Sequence, residues 1–253
     1  MMMALKAGIS HKKIVFSGVG KNSDEISYAI DKNILLINAE SESEIKEIDR
    51  IARLKKRIVD IGIRLNPNTD AKTLSQISTG KKENKFGVNN KTFVELVNYC
   101  KSSENIKLKC LSVHIGSQIL DHKPYLKMLK VIAKIISKIN FKFDFIDLGG
   151  GMGIPYNDRN KKLSYKKYNI AIKKFLENHN TKIIFEPGRS IIGDTGILIS
   201  KIIYIKTNGN KNFVILDAAM NDLMRPALYG AIHNMIPVIK KNKKLKKSVE
   251  KFA

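Results

Sequence analysis

The sequence predicts an α/β chain, a partial (β/α)8 TIM barrel carrying about six of its eight strands, followed by the start of a β-rich C-terminal domain. Three observations predict it. Short β-branched runs alternate with amphipathic helical patterns over the first three quarters of the chain. Polar, glycine-bearing motifs follow directly on three of these runs, about 36 residues apart, a common length for one βα unit. After Glu186 the helical patterns stop and strand-like runs follow one another with Gly and Asn between them.

Taken in order, the strand runs are IVFS (14–17), ILLIN (34–38), IGIRL (61–65), LSVH (111–114), FIDL (145–148) and IIFE (183–186). The helical segments between them have recognisable grammar. SDEISYAI (23–30) opens with Ser23 as its N-cap and acids in its first turn. SESEIKEIDRIARLKK (41–56) sets Ile45, Ile48, Ile51 and Leu54 on one stripe. KPYLKMLKVIAKIISKI (123–139) begins with Pro124, which a first turn tolerates. SYKKYNIAIKKFLEN (164–178) closes the series. Beyond it, GILISKIIYIK (196–206), KNFVILDAAM (211–220) and HNMIPVIK (233–240) read as successive strands. The boundary is expected near residue 193, giving a barrel domain over 1–192 and the β-rich domain over 193–253.

Composition bounds the function. The 253 residues are 43% hydrophobic, enough for a globular core. No stretch approaches 18 uncharged apolar residues, and the first twenty lack an apolar signal-peptide core, so neither a membrane span nor secretion is expected. Cys100 and Cys110 belong to no CxxC or Cys/His cluster and read as reduced thiols of a cytoplasmic protein, with no metal site. The formal net charge of +23 points toward nucleic acid, but the residue types argue against it. Only seven basic residues are arginines, against 39 lysines scattered over predicted helix faces. Nucleic-acid readers favour arginine forks and stacking aromatics. A solvated lysine-rich surface is the simpler reading, and the tail KKNKKLKKSVEKF (240–252) reads as an exposed basic run.

The three motifs are HIGSQ (114–118), DLGGGMGIPY (147–156) and EPGRS (186–190). In barrels of this type the loops after the strands build the active site, so their spacing alone brings them to one face. Gly149, Gly150 and Gly151 free backbone N–H groups to approach an anion, although a tight structural turn explains such a run as readily. Pro187 and Gly188 turn sharply and expose Glu186 and Arg189, a carboxylate suited to a protonated ring nitrogen and a guanidinium suited to phosphate or carboxylate; a surface ion pair is the alternative. His114 offers a flat imidazole and Ser117 a hydroxyl, while lone strand-end histidines are more often structural. A fourth motif, DAAMNDLMRPALYGAIH (217–233), sets Arg225 and Tyr229 four apart, on one face of any short helix and able to grip one carboxylate.

In this order the motifs IVFSGVGK, IRLNPNTDAKTLSQISTGKKENKFG, HIGSQI, DLGGGMGIPY, EPGRSI and MNDLMRPALYGA resemble those of the diaminopimelate decarboxylases, pyridoxal 5'-phosphate enzymes of the alanine-racemase-like fold. The resemblance covers nearly the whole chain. It implies that His114 stacks on the cofactor ring, and that Ser117, Gly150, Gly151 and the turn of Pro187, Gly188 and Arg189 hold its phosphate. Glu186 would hydrogen-bond the pyridinium nitrogen, and Arg189, Arg225 and Tyr229 would bind the substrate. The implied reaction is decarboxylation of meso-2,6-diaminopimelate to L-lysine and CO2, in a cytoplasmic homodimer. A related decarboxylase of ornithine or polyamine type, and a non-catalytic basic binding protein, are the alternatives.

The resemblance also marks departures. Family members carry the Schiff-base lysine in a YAxKAN-like motif that this sequence lacks, so no catalytic lysine is identified. MALKAG imitates that motif, but its register, just before IVFSG, makes Lys6 a helix-surface residue. Lys21 matches a loop position without such a role. Cys-Glu-Ser and Gly-Ala-Tyr motifs of the family's later β-domain are not found either. The chain is therefore expected to be a fragment, without the first two barrel strands and inactive alone.

Overall fold

The computed structural model describes residues 1–71, 79–80, 85–156 and 162–238. The chain divides into two compact units, residues 1–154 with 162–193, and residues 155–161 with 194–253.

The first unit alternates helix and strand: α1 (Met2–Lys6), β1 (Val15–Phe16), α2 (Ser23–Asp31), β2 (Leu36–Ala39), α3 (Glu42–Leu54), β3 (Val59–Arg64), α4 (Asn90–Ser102), β4 (Ile106–Ser112), α5 (Lys123–Ile139), β5 (Phe145–Asp147), α6 (Tyr165–Glu177), β6 (Lys182–Ile184) and the short α7 (Arg189–Ile192). The six strands form one parallel sheet in sequence order. Parallel strands of this kind are covered on both faces, and every residue of β2 is buried. The sheet curls into a half-barrel. Its curvature brings Ser17, just past the first strand, within 2.6 Å of Glu186, just past the last. The six strand runs read from the sequence are the six strands of the sheet.

Local differences from the sequence reading have plain causes. Asn22, not Ser23, caps α2: its side chain accepts from the Glu25 N–H while the Glu25 carboxylate reaches back to the Asn22 N–H. In α3, Ile45, Ile48 and Ile51 are buried as expected, but Leu54 is 68% exposed and Ala52 takes its place against the core. Strand β4 begins at Ile106, earlier than the LSVH run, because its first half alternates buried Ile106 and Leu108 with outward lysines. Helix α4, with Phe93, Leu96 and Val97 buried, had no counterpart in the sequence reading. Part of the motif 63–87, residues 72–78 and 81–84, lies outside the described residues, as does the basic tail 240–252.

The second unit holds an antiparallel hairpin, β7 (Ile202–Asn208) and β8 (Lys211–Leu216), and a five-residue helix, α8 (Arg225–Tyr229). Gly209, at φ +56, makes the hairpin turn. Of the third strand expected at HNMIPVIK, the described residues 233–238 carry none, Pro237 having no N–H for a ladder, and residues 239–240 lie outside the described residues. Pro226 sits in the first turn of α8, and Gly230 ends it in the left-handed region.

Candidate active site

The three motifs meet at one backbone position, Gly150. Its N–H donates to His114 Nδ1 at 3.1 Å, and a Cβ there would collide with the carbonyl oxygen of Glu186. Residues 36 apart in sequence thus become neighbours across β4, β5 and β6. Its two flanking glycines are needed for the same reason. A Cβ on Gly149 would lie 2.6 Å from His114 Nδ1, and one on Gly151 would strike the carbonyl of Gly116; both glycines also have positive φ. The backbone ladder runs on past the strand ends, with Val113 N donating to Asp147 O at 2.8 Å and Glu186 N to Gly149 O at 2.9 Å. The glycine run therefore serves close packing of three loops. Of its N–H groups, that of Gly149 is engaged by Asp147 Oδ1 and that of Gly150 by His114.

This bond sets the state of the imidazole. Nδ1 accepts, so the proton of the neutral ring sits on Nε2. Burial, helped by the nearby Arg64 guanidinium, pulls the His114 pKa down to about 4, which keeps the ring uncharged at neutral pH. A neutral, fixed, half-buried imidazole presents a flat face, the property needed to stack on another aromatic ring.

Beneath it lies a buried polar network. Asp147, fully buried, accepts from Asn38 Nδ2 at 2.7 Å, from the Gly149 N–H at 2.9 Å and from Ser112 Oγ at 3.4 Å. Desolvation, then the neighbouring Glu186 charge, pushes its carboxyl up to about 7. Glu186 accepts from Ser17 Oγ at 2.6 Å. One wall is closed by Arg64, whose guanidinium pairs with buried Glu40 at 2.7 Å and covers the Phe86 ring. The other Glu40 oxygen accepts from Gly87 N.

The loops after β4 and β5 are zipped together. Gln118 Nε2 donates to Ile154 O at 2.6 Å, Ile119 N to Gly151 O at 2.9 Å, and Arg189 Nη1 reaches Gln118 Oε1 at 3.5 Å. Ser117 lies in the first of these loops. Gly188 starts the turn into α7, with Arg189 its first residue. Pro187, by contrast, lines an apolar groove of about 310 Å3 with Tyr168, Phe185 and Ile172. His114, Ser117, Gly150, Gly151, Glu186, Gly188 and Arg189 are thus all carried by the three adjoining loops of the first unit.

Arg225 and Tyr229 belong to the second unit, on α8. There the Arg225 guanidinium lies 4.3 Å from the Tyr156 ring centroid, and its Nη1 is 3.0 Å from His233 Nε2. Neither of the two lysines considered from sequence is placed as a free amine at the motif loops. Lys6 is exposed at the end of α1, which leads into the N-terminal end of β1 and so lies opposite the motif loops. Lys21 is buried and fully engaged, its Nζ donating to Glu44 at 2.6 Å and to the carbonyls of Gly18 and Asn38.

Sequence reasoning missed Ser17, Asn38, Arg64 and Asp147. A usable signal was present: each is a polar residue at the C-terminal end of a barrel strand, the position that faces the site. Asn38 and Asp147 even close or interrupt otherwise apolar runs.

Known proteins with this pattern are informative. The family model for the pyridoxal-dependent decarboxylase, pyridoxal binding domain, matches residues 1–193. The diaminopimelate decarboxylase of Aquifex aeolicus is 40% identical over 247 residues, 96% of this chain and 59% of that protein. That of Helicobacter pylori is 44% identical over 233 residues, 91% of this chain and 57% of its own length. The crystal structure of the Helicobacter pylori diaminopimelate decarboxylase complexed with L-lysine superposes with a TM-score of 0.87, covering 92% of this chain and 59% of that one. The chain spans less than three fifths of the length of these relatives. By its matched domain and its half-barrel, the chain belongs to the pyridoxal-dependent decarboxylase family.

Proposed function

We propose that this chain supplies the cofactor site of a diaminopimelate decarboxylase, which converts meso-2,6-diaminopimelate to L-lysine and CO2 with pyridoxal 5'-phosphate. The observation that carries the reading is the meeting of the HIGSQ, GGG and EPGR loops at Gly150, where any side chain would push them apart. The arrangement fits that cofactor. His114 offers a neutral ring face and Glu186 a carboxylate for the ring nitrogen, and the side-chain-free Gly149, Gly150 and Gly151 let the loops that carry these groups pack against one another. Ser117, Gly151 and the Pro187, Gly188 and Arg189 turn would hold the phosphate, with Gly150 keeping their loops together. The cofactor supplies an electron sink for the bonding pair released as CO2 leaves.

The chain's own groups have separate tasks. Glu186 keeps the ring nitrogen protonated, and His114 excludes water from one ring face. Arg189 and Arg225 present guanidinium forks suited to carboxylates, and Tyr229 a hydroxyl one helical turn from Arg225. A diacid substrate calls for such cations; ornithine, with one carboxylate, does not. The names of the relatives support the same substrate. The working protein is a cytoplasmic homodimer on this reading; among the described residues no helix is long and apolar enough to cross a membrane.

The test is turnover by the native holo-protein containing this chain. Release of CO2 with equimolar L-lysine from meso-diaminopimelate, and none from ornithine, is expected; ornithine turnover or no turnover of either overturns the reading. The 253 residues by themselves are expected to bind the cofactor without turnover. Borohydride should then leave Lys6 and Lys21 unmodified, because one faces away and the other is locked in an ion pair.

A further inference from the structure

The network under the ring has a direction. Asn38 is 1% exposed, and its Nδ2 donates to Asp147 Oδ2 at 2.7 Å and to Ser17 Oγ at 3.1 Å. Ser17 Oγ, already accepting from Asn38, gives its single proton to Glu186 Oε1 at 2.6 Å. Both proton donations of the amide and that of the hydroxyl thus run outward toward two carboxylates. We propose that Asn38 and Ser17 are positioning residues that hold the Glu186 carboxylate where it meets the cofactor's ring nitrogen, with buried Asp147 as the anchor. The proposal rests on the role given to Glu186 above.

Three features fix the amide in this orientation. Its Oδ1 is buried without a hydrogen-bond partner and lies over Gly62, where a Cβ would overlap it. Its backbone carbonyl accepts from Lys21 Nζ at 2.7 Å, tying the end of β2 to the loop after β1. The reversed orientation would set Oδ1 against the Asp147 oxygen and leave the NH2 group facing Gly62 with nothing to bond. An orphaned buried carbonyl oxygen costs free energy, so this orientation is retained because it serves the two acceptors. Ser17 follows the first strand of the sheet and Glu186 the last; Asn38 and Asp147 come from strands between them. The relay therefore spans the curl of the half-barrel and makes the position of Glu186 depend on its closure.

The test uses the full chain and two readouts. In the apo chain, side-chain scalar couplings of Glu186 by NMR report whether it keeps one rotamer. A single rotamer is expected in the native chain and in Ser17→Thr, and averaged couplings in Ser17→Ala and Asn38→Ala; Asn38→Ala, which also takes a donor from buried Asp147, should melt lower than the native chain while staying folded. With 15N-labelled pyridoxal phosphate added, the ring nitrogen's proton affinity should fall about three- to tenfold in Ser17→Ala, the effect of one hydrogen bond, and recover in Ser17→Thr. A single Glu186 rotamer in all four proteins overturns the relay whether or not the cofactor binds. Averaged couplings in the two alanine variants, with no saturable cofactor binding by the native chain, would leave the relay standing and remove the cofactor reading.

Discussion

The loops of the half-barrel and the β7–β8 hairpin both depend on glycine, but for opposite reasons. Gly150 is buried and has no room for a Cβ; Gly209 has open space around it and needs only its positive φ. The contrast extends to the surroundings. In β2 every residue is buried, whereas in β7 every residue is exposed, Ile203, Tyr204 and Ile205 included. The first unit makes its own core, and its polar site groups are locked into that core. The hairpin has the pairing and turn of a strand pair without a covered face, and two strands alone are marginal in water. Precision of side-chain placement is thus a property of the first unit.

Substitutions can break or sharpen this contrast. The largest effect is expected at the Arg64–Glu40 pair, whose side chains are 10% and 2% exposed. Arg64→Ala strands a buried carboxylate and should cost about 3–5 kcal/mol in denaturant unfolding of the first unit. Lys46→Ala breaks an exposed pair with Glu42 at the same type of distance and should cost less than about 0.5 kcal/mol.

Gly150→Ala comes next. It must separate the β5 and β6 loops and should destabilise by about 2–3 kcal/mol. Gly209→Ala meets no atom and pays only for its left-handed backbone, about 1 kcal/mol. Equal costs for the two would erase the distinction drawn between the regions.

A pH effect of comparable slope resides in the first unit. Asp147, raised to about 7, contributes stability that is complete below about pH 4 and lost as pH rises through 7. His114, lowered to about 4, contributes stability that is present above about pH 6.5 and lost as pH falls through 4. Between pH 4 and 6.5 the two oppose each other. In Asp147→Asn only the His114 contribution remains, so stability should rise with pH there, relative to the native chain, by up to about 1.4 kcal/mol per unit. Parallel pH profiles of the two proteins would show that Asp147 is not protonated preferentially in the fold. The smallest expected effect is kinetic: amides of β7 and β8 should exchange with solvent faster than those of β2 and β3.

Much of this organisation was legible in the sequence, and the misses share a cause. The six strand runs and the convergence of His114, Gly150 and Glu186 followed from period and spacing, because a βα repeat fixes which residues reach one face. What periodicity does not encode is which backbone atoms touch. The glycine run looked like an anion cradle, yet the N–H groups of Gly149 and Gly150 are engaged within the protein. Asn38 stands in no motif and Ser17, inside IVFSGVGK, drew no role, since their roles depend on partners 109 and 169 residues away. The strand expected at HNMIPVIK failed because alternation of apolar residues says nothing about whether a pairing edge exists.

The central claim is that three loops converging on Gly150 form one cofactor site, and titration of pyridoxal phosphate into the full chain tests it most directly. The native chain and Gly209→Ala should bind one equivalent alike, while Gly150→Ala and His114→Ala bind at least about tenfold more weakly. Binding by Gly150→Ala equal to that of the native chain would contradict the account.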